Sequence, residues 1–259
     1  MQVGVSNTHL PLWKITIVLL MNLQDKVAVV TGASSGLGLH FSKALITEGA
    51  HVFGLARSAD KLETLRDDLG ERFHPIPCDV TDQKQVHEAF RNVEREGGHL
   101  DILVNNAGLG KFGPVDELPL SHWAVQIDTN LNGVFFCTRE AVPMMKKQNE
   151  KTGFGGHIVN IASIAGLLGN PNLAAYNATK FGLRGFSEAL MKEVREDGIK
   201  VTCIYPGSVE THFADVAGSS GSPNPMQPED IAATLIHILQ GPDNYLISEV
   251  MMRPLRPKG

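Results

Sequence analysis

"VVTGASSGLG", residues 29–38, runs from a short apolar stretch directly into a glycine-rich turn. Its glycines, Gly32, Gly36 and Gly38, are spaced G-x-x-x-G-x-G, and an amphipathic stretch over 36–49 follows. Strand, tight turn and helix are therefore expected in that order. Gly32 permits the turn, Gly36 lets backbone come close to a pyrophosphate, and Gly38 lets the helix pack near the strand. The helix N-terminus, with Ser34, Ser35 and Leu37 set among the glycines, offers N–H groups and positive potential to phosphate oxygens. Two other motifs compete for these letters. "GASSG" fits the G-x-S-x-G elbow of serine hydrolases with Ser34 as nucleophile, but that elbow follows several strands and only one short segment precedes it here. A P-loop needs Lys and then Ser or Thr after its last glycine, and Leu39 and His40 stand there.

Outward from this turn, short apolar runs alternate with amphipathic ones. Strands are expected at "KVAVVTG", "HVFGLAR", "FHPIPCDV", "LDILVNN", "GGHIVNIAS", "KVTCIYPG" and, more weakly, "YLISEVMMRP". Most are rich in Val, Ile and Leu with little polar alternation, as in strands covered on both faces. Helices are expected at 36–49, 59–69, 82–97, about 118–147, 174–197 and 228–240. This alternation indicates βαβ crossovers and a parallel sheet. "DVAGSSGSPNPMQPED", 215–230, opposes helix and strand alike and reads as a mobile loop on one domain. No internal repeat is visible.

The end of the second strand bears on cofactor choice. A site selective for NAD usually carries a carboxylate there for the ribose 2′-hydroxyl. Ala56 occupies that place, followed by Arg57 and Ser58. Arg57 can form charge-assisted bonds to a 2′-phosphate, so NADP(H) is expected over NAD(H).

Composition bounds the rest. The chain has 259 residues, 42% hydrophobic and 20% charged, with a net charge of −5, which suits a soluble globular protein and argues against nucleic-acid or membrane partners. Cys78, Cys137 and Cys203 are far apart, odd in number and set in apolar stretches, so buried free thiols in a reducing compartment, the cytoplasm, are expected. The ten histidines show no H-x-x-x-H pairing, and no metal is expected. Residues 1–23 read as an extension. Their apolar run Ile15–Met21 is too short to span a bilayer. A dispensable segment, a true start at Met21, an edge strand or oligomer contact, and a targeting segment all stay open.

With these pieces placed, the chain resembles the short-chain dehydrogenase/reductase family over about residues 24–252. The resemblance rests on "TGASSGLG" at 31–38, "CDV" at 78–80, "NNAG" at 105–108, Asn130 in "DTNLNG", Ser163 with Tyr176 and Lys180, and "PGSVET" at 206–211, in the family's order. It implies one α/β Rossmann-type doubly wound domain, 24–259, with a seven-stranded parallel sheet flanked by helices and a substrate loop at about 208–227. It further implies an NAD(P)-dependent oxidoreductase. By position Asp79 and Val80 meet the adenine, while Asn105, Asn106, Ala107 and Gly108 line the cofactor and brace the fourth strand. Pro206, Gly207, Val209 and Thr211 hold the nicotinamide end. The branch it suggests is an NADP-preferring carbonyl reductase, or a 3-hydroxy acid or 3-oxoacyl reductase-like member. "LISEVMMRPLRPKG" leans toward small hydroxy acids and simple carbonyls rather than acyl-carrier substrates. The family's habit of forming homotetramers or homodimers through the long helices carries over in the same way.

The four family positions have a chemical logic. Carbonyl reduction needs a hydride donor, a proton donor and a group to position the oxygen. Tyr176 is the expected acid/base, and Lys180 lies one helical turn on, on the same face. At an effective dielectric of about 20 and ~6 Å, one positive charge favours the phenolate by roughly a hundredfold. Lys180 also reaches the nicotinamide ribose, Ser163 bonds the substrate oxygen, and Asn130 holds a water for proton relay or is a plain interior asparagine. Segments 109–116, 164–173 and 212–226 are expected to wall a small uncharged carbonyl/alcohol substrate, with Lys111 or His212 available to an acid group. A non-catalytic NADP-binding sensor or interaction protein on the same fold is the alternative.

Overall fold

The computed structural model describes residues 22–213, 217–218 and 222–257. The N-terminal segment 1–21 and parts of the loop 212–226 thus lie outside the described residues. Seven strands form: β1 (Val27–Thr31), β2 (His51–Ala56), β3 (Phe73–Pro77), β4 (Ile102–Asn105), β5 (Gly156–Ile161), β6 (Ile199–Pro206) and β7 (Glu249–Met252). They pair in parallel in the order β3-β2-β1-β4-β5-β6-β7. The helices are α1 (Gly36–Thr47), α2 (Ala59–Leu69), α3 (Gln83–Gly97), α4 (Leu120–Ile127), α5 (Gly133–Thr152), α6 (Ala174–Val194) and α7 (Pro228–Leu239).

Side chains alternate across a strand, and here each set meets a helical layer. Ala28 and Val30 face Phe41 and Leu45 of α1 and Leu235 of α7 in one cluster. Val27 and Val29 face the other way, toward Phe90 of α3, Met145 of α5 and Leu190 of α6. Both faces being covered accounts for the apolar runs of β1 and β4. Chain order reverses between β1 and β4, so a crevice opens at the carboxyl ends of these strands, where doubly wound sheets hold ligands.

The opposite edge is closed by polar contacts. Asp101, buried ahead of β4, accepts from the Val27 N–H at 2.8 Å, from Lys26 at 3.0 Å and from Gln148 at 3.0 Å. This ties β1, β4 and α5 together at the floor of the sheet.

The helix expected at about 118–147 is not continuous. α4 ends at Ile127, a π-helical turn spans Asp128–Asn132, and α5 starts at Gly133. Such wide turns cluster at functional positions; this one contains Asn130.

Candidate active site

The glycine turn is built as its spacing demands, and each glycine is needed for its own reason. Gly32 and Gly36 have positive φ, +67° and +52°, a region costly for residues with a Cβ. Gly38 is required by space, since a Cβ there would lie 2.2 Å from the Gly32 carbonyl oxygen and 2.6 Å from Asn106 Nδ2. Ser35 caps α1 in an extended conformation without a side-chain bond to the helix, and the first turn holds no acidic residue. The leading N–H groups are therefore not screened by a carboxylate. Ser34 is partly exposed, and Leu37 packs against the α1-side core. A close-approach cradle with open donors at a helix N-terminus fits a dinucleotide pyrophosphate.

Thr31, at the end of β1, joins this turn to the next strand. Its hydroxyl accepts from the N–H groups of Asn106 at 3.0 Å and Ala107 at 2.9 Å. Asn106 Nδ2 donates back to the Thr31 carbonyl at 2.9 Å. Asn105 behaves differently from expectation: it does not line the crevice. Its side chain is buried and bonds Thr138 at 3.2 Å and Asn160 at 2.9 Å, because at the end of β4 its Cβ points toward α5. It braces the strand only.

Ala56 closes β2, Arg57 is exposed, and Ser58 caps α2. Asp79 Oδ1 accepts from Thr81 N and Oγ1, fixing the turn after β3, and Val80 is buried against Gly133. Gly108 lies beside the site, since a Cβ on it would be 3.6 Å from Lys180 Nζ. Pro206 ends β6, Gly207 N–H bonds the Met252 carbonyl at 2.9 Å, and Val209 bridges Met226. Thr211 lies 3.8 Å from the place of a Gly36 Cβ, so the chain after β6 returns to the glycine turn.

Ser163, Tyr176, Lys180 and Asn130 come together beside this crevice. Ser163 caps a short 3-10 turn (Ile164–Gly166) after β5 and accepts from the Ala165 N–H at 3.1 Å. Ser163 stands beside the Tyr176 hydroxyl and favours its ionised form. Lys180 Nζ lies 5.7 Å from the Tyr176 ring centroid and donates to the Ile161 carbonyl at 2.9 Å. Asn130 donates to Leu109 O at 2.9 Å and to Thr179 Oγ1 at 3.0 Å, and its Oδ1 accepts from Leu109 N–H at 2.9 Å. It stitches the loop after β4 to α6, and both its side-chain donors are used within the protein.

Electrostatics departs from the sequence expectation. Burial pushes the Tyr176 phenol up to about 12, opposed by the neighbouring Ser163 hydroxyl. Burial also draws the Lys180 ammonium down to about 8. Lys180 was expected to make the phenol more acidic. Taking both groups out of water dominates instead, because each charged form loses its hydration.

Two residues with no motif to mark them complete the site. Phe112, after β4, and Phe213, after β6, pack on Tyr176 with ring centroids 5.5 and 5.6 Å from it. Both lie in the segments 109–116 and 212–226 expected to wall the substrate, but only their aromatic character singles them out there. Among the described residues no group of three or more metal-ligating side chains forms.

Comparison with known proteins agrees with this geometry. The family model described as short chain dehydrogenase matches residues 26–220. An uncharacterized oxidoreductase of Staphylococcus haemolyticus is 35% identical over 237 residues, covering 91% of this chain and 100% of that protein. A 3-ketoacyl-(acyl-carrier-protein) reductase from Brucella melitensis, solved with NADH, superposes with a TM-score of 0.82 at 27% identity, covering 89% of this chain and 97% of that one. The closed form of a serine dehydrogenase, solved with NADP+, gives a TM-score of 0.81 at 29% identity, covering 88% and 95%. The chain therefore belongs to the short-chain dehydrogenase/reductase family and is an NAD(P)-dependent oxidoreductase.

Proposed function

We propose that this protein interconverts a small carbonyl compound and its secondary alcohol, using NADP(H), with Tyr176 as the acid/base. The observation that carries the reading is the buried Tyr176, with Ser163 beside its hydroxyl and Lys180 flanking its ring, next to the glycine cradle. A bound nicotinamide supplies the hydride in reduction and accepts it in oxidation. Ser163 and the Tyr176 hydroxyl point two donors at one substrate oxygen. As the carbonyl carbon takes the hydride, the oxygen takes the Tyr176 proton, and the phenolate left behind is held by Ser163 and the Lys180 charge. A phenol that resists ionisation on its own is a competent donor to an alkoxide. Lys180, anchored on the Ile161 carbonyl, keeps further N–H donors for a ribose hydroxyl.

Cofactor preference follows from Ala56, which brings no carboxylate to the end of β2, and from exposed Arg57, which would face a 2′-phosphate. The partly exposed apolar side chains Trp123, Phe135 and Phe181, on α4, α5 and α6, support a homodimer or homotetramer packed through these helices. The three buried free thiols favour the cytoplasm, and no described helix is long and apolar enough to cross a membrane.

The test is Tyr176→Phe assayed by NADPH oxidation against a panel of ketones and aldehydes. Turnover should fall at least ~100-fold while cofactor affinity is kept. Near-normal turnover of this variant would refute the mechanism. Cofactor binding without turnover of any carbonyl by the native protein would favour a sensor.

A further inference from the structure

Phe112 and Phe213 form a three-ring cluster with the Tyr176 ring. The centroid separations are 5.5 Å (Phe112–Tyr176), 5.6 Å (Phe213–Tyr176) and 6.4 Å (Phe112–Phe213), with interplanar angles of 62°, 49° and 60°. These are the tilted, edge-on arrangements in which aromatic rings attract one another. The cluster has a built seat. A Cβ on Gly110 would lie 2.7 Å from Phe112 Cε1 and 3.1 Å from Phe213 Cζ, so the backbone there is hollowed to receive both rings.

Backbone bonds fix the seat. Phe112 N–H donates to Ala217 O at 3.3 Å, and Gly113 N–H donates to Asn172 O at 2.8 Å. The loops after β4, β5 and β6 are thereby joined around the tyrosine. Phe213 N–H donates to Thr211 Oγ1 at 3.3 Å, and Thr211 borders the glycine turn. One ring is thus tied to the substrate side of the crevice and the other to its cofactor side.

We infer that Phe112 and Phe213 are specificity-determining residues that select carbonyl compounds carrying an aryl group next to the reacting carbon. A substrate whose oxygen meets Tyr176 and Ser163 must place one substituent against these rings. A planar ring extends the edge-on packing, whereas a saturated group of equal size gains contact area only, and a carboxylate would be desolvated against hydrocarbon. This narrows the substrate class away from small hydroxy acids. It rests on the proposed carbonyl reduction at Tyr176.

The experiment compares acetophenone with cyclohexyl methyl ketone, which match in size. Both kcat/KM and calorimetric binding to the NADP+-loaded protein are measured, in the native chain and in Phe112→Leu, Phe213→Leu and the double variant. The change in the ratio between proteins cancels the intrinsic reactivity of the two ketones. The aryl-to-cyclohexyl ratio should drop about tenfold in the double variant, in turnover and in binding alike. Phe213→Leu alone, at a partly exposed position, serves if the Phe112 change does not fold. Turnover with an unchanged ratio, or a native preference for a carboxylate-bearing ketone, overturns the inference and leaves carbonyl reduction standing. Aryl-selective binding lost in the variants, with no turnover of any carbonyl, supports the aromatic site and overturns the proposed reaction instead.

Discussion

Tyr176 and Lys180 illustrate how burial sets protonation before any substrate arrives. The phenol is held as a phenol, and the ammonium, though still mostly charged at neutral pH, holds its proton less tightly than a free lysine. A second charge-bearing residue, Arg57, works under opposite conditions. It is exposed and forms no ion pair with another described residue, so its charge is available to a phosphate on the ribose. A charge-assisted bond of about 1.5–3 kcal/mol corresponds to roughly a 10- to 100-fold preference. Arg57→Ala should lower the ratio of kcat/KM for NADPH over NADH by about that factor while leaving the NADH value near native. A ratio unmoved by the substitution would place the selectivity elsewhere.

Among the elements, the β1–turn–α1 unit and the α4–α5 pair differ in how far the sequence reveals them. The first is local. Three glycines within seven residues and the apolar run before them dictate the turn, and the structure adds only which glycine serves φ and which serves space. The strands β1 and β4 are equally legible, since burial on both faces leaves runs of Val, Ile, Leu and Ala. The break between α4 and α5 was not legible. It coincides with bonds from Asn130 to Leu109 and Thr179, 21 and 49 residues away along the chain. The aromatic cluster is legible only as two wall segments, 109–116 and 212–226, because the packing of its rings joins loops about a hundred residues apart. The first unit also gives a sharp test. Gly38→Ala forces a methyl into the Gly32 carbonyl, costing about 1–3 kcal/mol, and opens the phosphate cradle. Its thermal midpoint should fall, and its KM for cofactor should rise at least ~10-fold. Phosphate-free ligands such as the ketone should be affected far less.

Stability of the whole molecule depends on the polar floor of the sheet as well as on its apolar layers. His157, on β5, is fully buried against Thr202 of β6 at 2.7 Å. The Thr202 hydroxyl gives its own proton to the Ile247 carbonyl at 2.6 Å, so His157 Nε2 must be the donor. Burial, helped by the Lys200 charge, lowers His157 from 6.5 to about 3. The unfolded chain binds this proton more readily than the folded one. The contribution is therefore complete above pH 6.5 and is lost as pH falls toward 3. Between pH 7 and pH 5 it should remove about 2 kcal/mol from the unfolding free energy measured in urea. His157→Gln, which can still donate to Thr202, should start less stable and lose correspondingly less over that range. An equal loss in both proteins would rule the histidine out.

The outermost strand beyond β2 carries one more consequence. In β3, "FHPIP", the Cys78 N–H that follows it donates inward to Ala56 O at 2.9 Å, so by the two-residue period His74 and Ile76 also face β2. The outward positions are Phe73, Pro75 and Pro77. The Phe73 N–H is already taken by the Gly70 carbonyl at 3.1 Å, and the two prolines have none to give. This rim therefore presents no free N–H to a passing chain, and a stray strand that tried to extend the sheet there would find acceptors without donors. This edge is thereby guarded against runaway strand addition, and so against aggregation, through residues unconnected with the protein's chemistry.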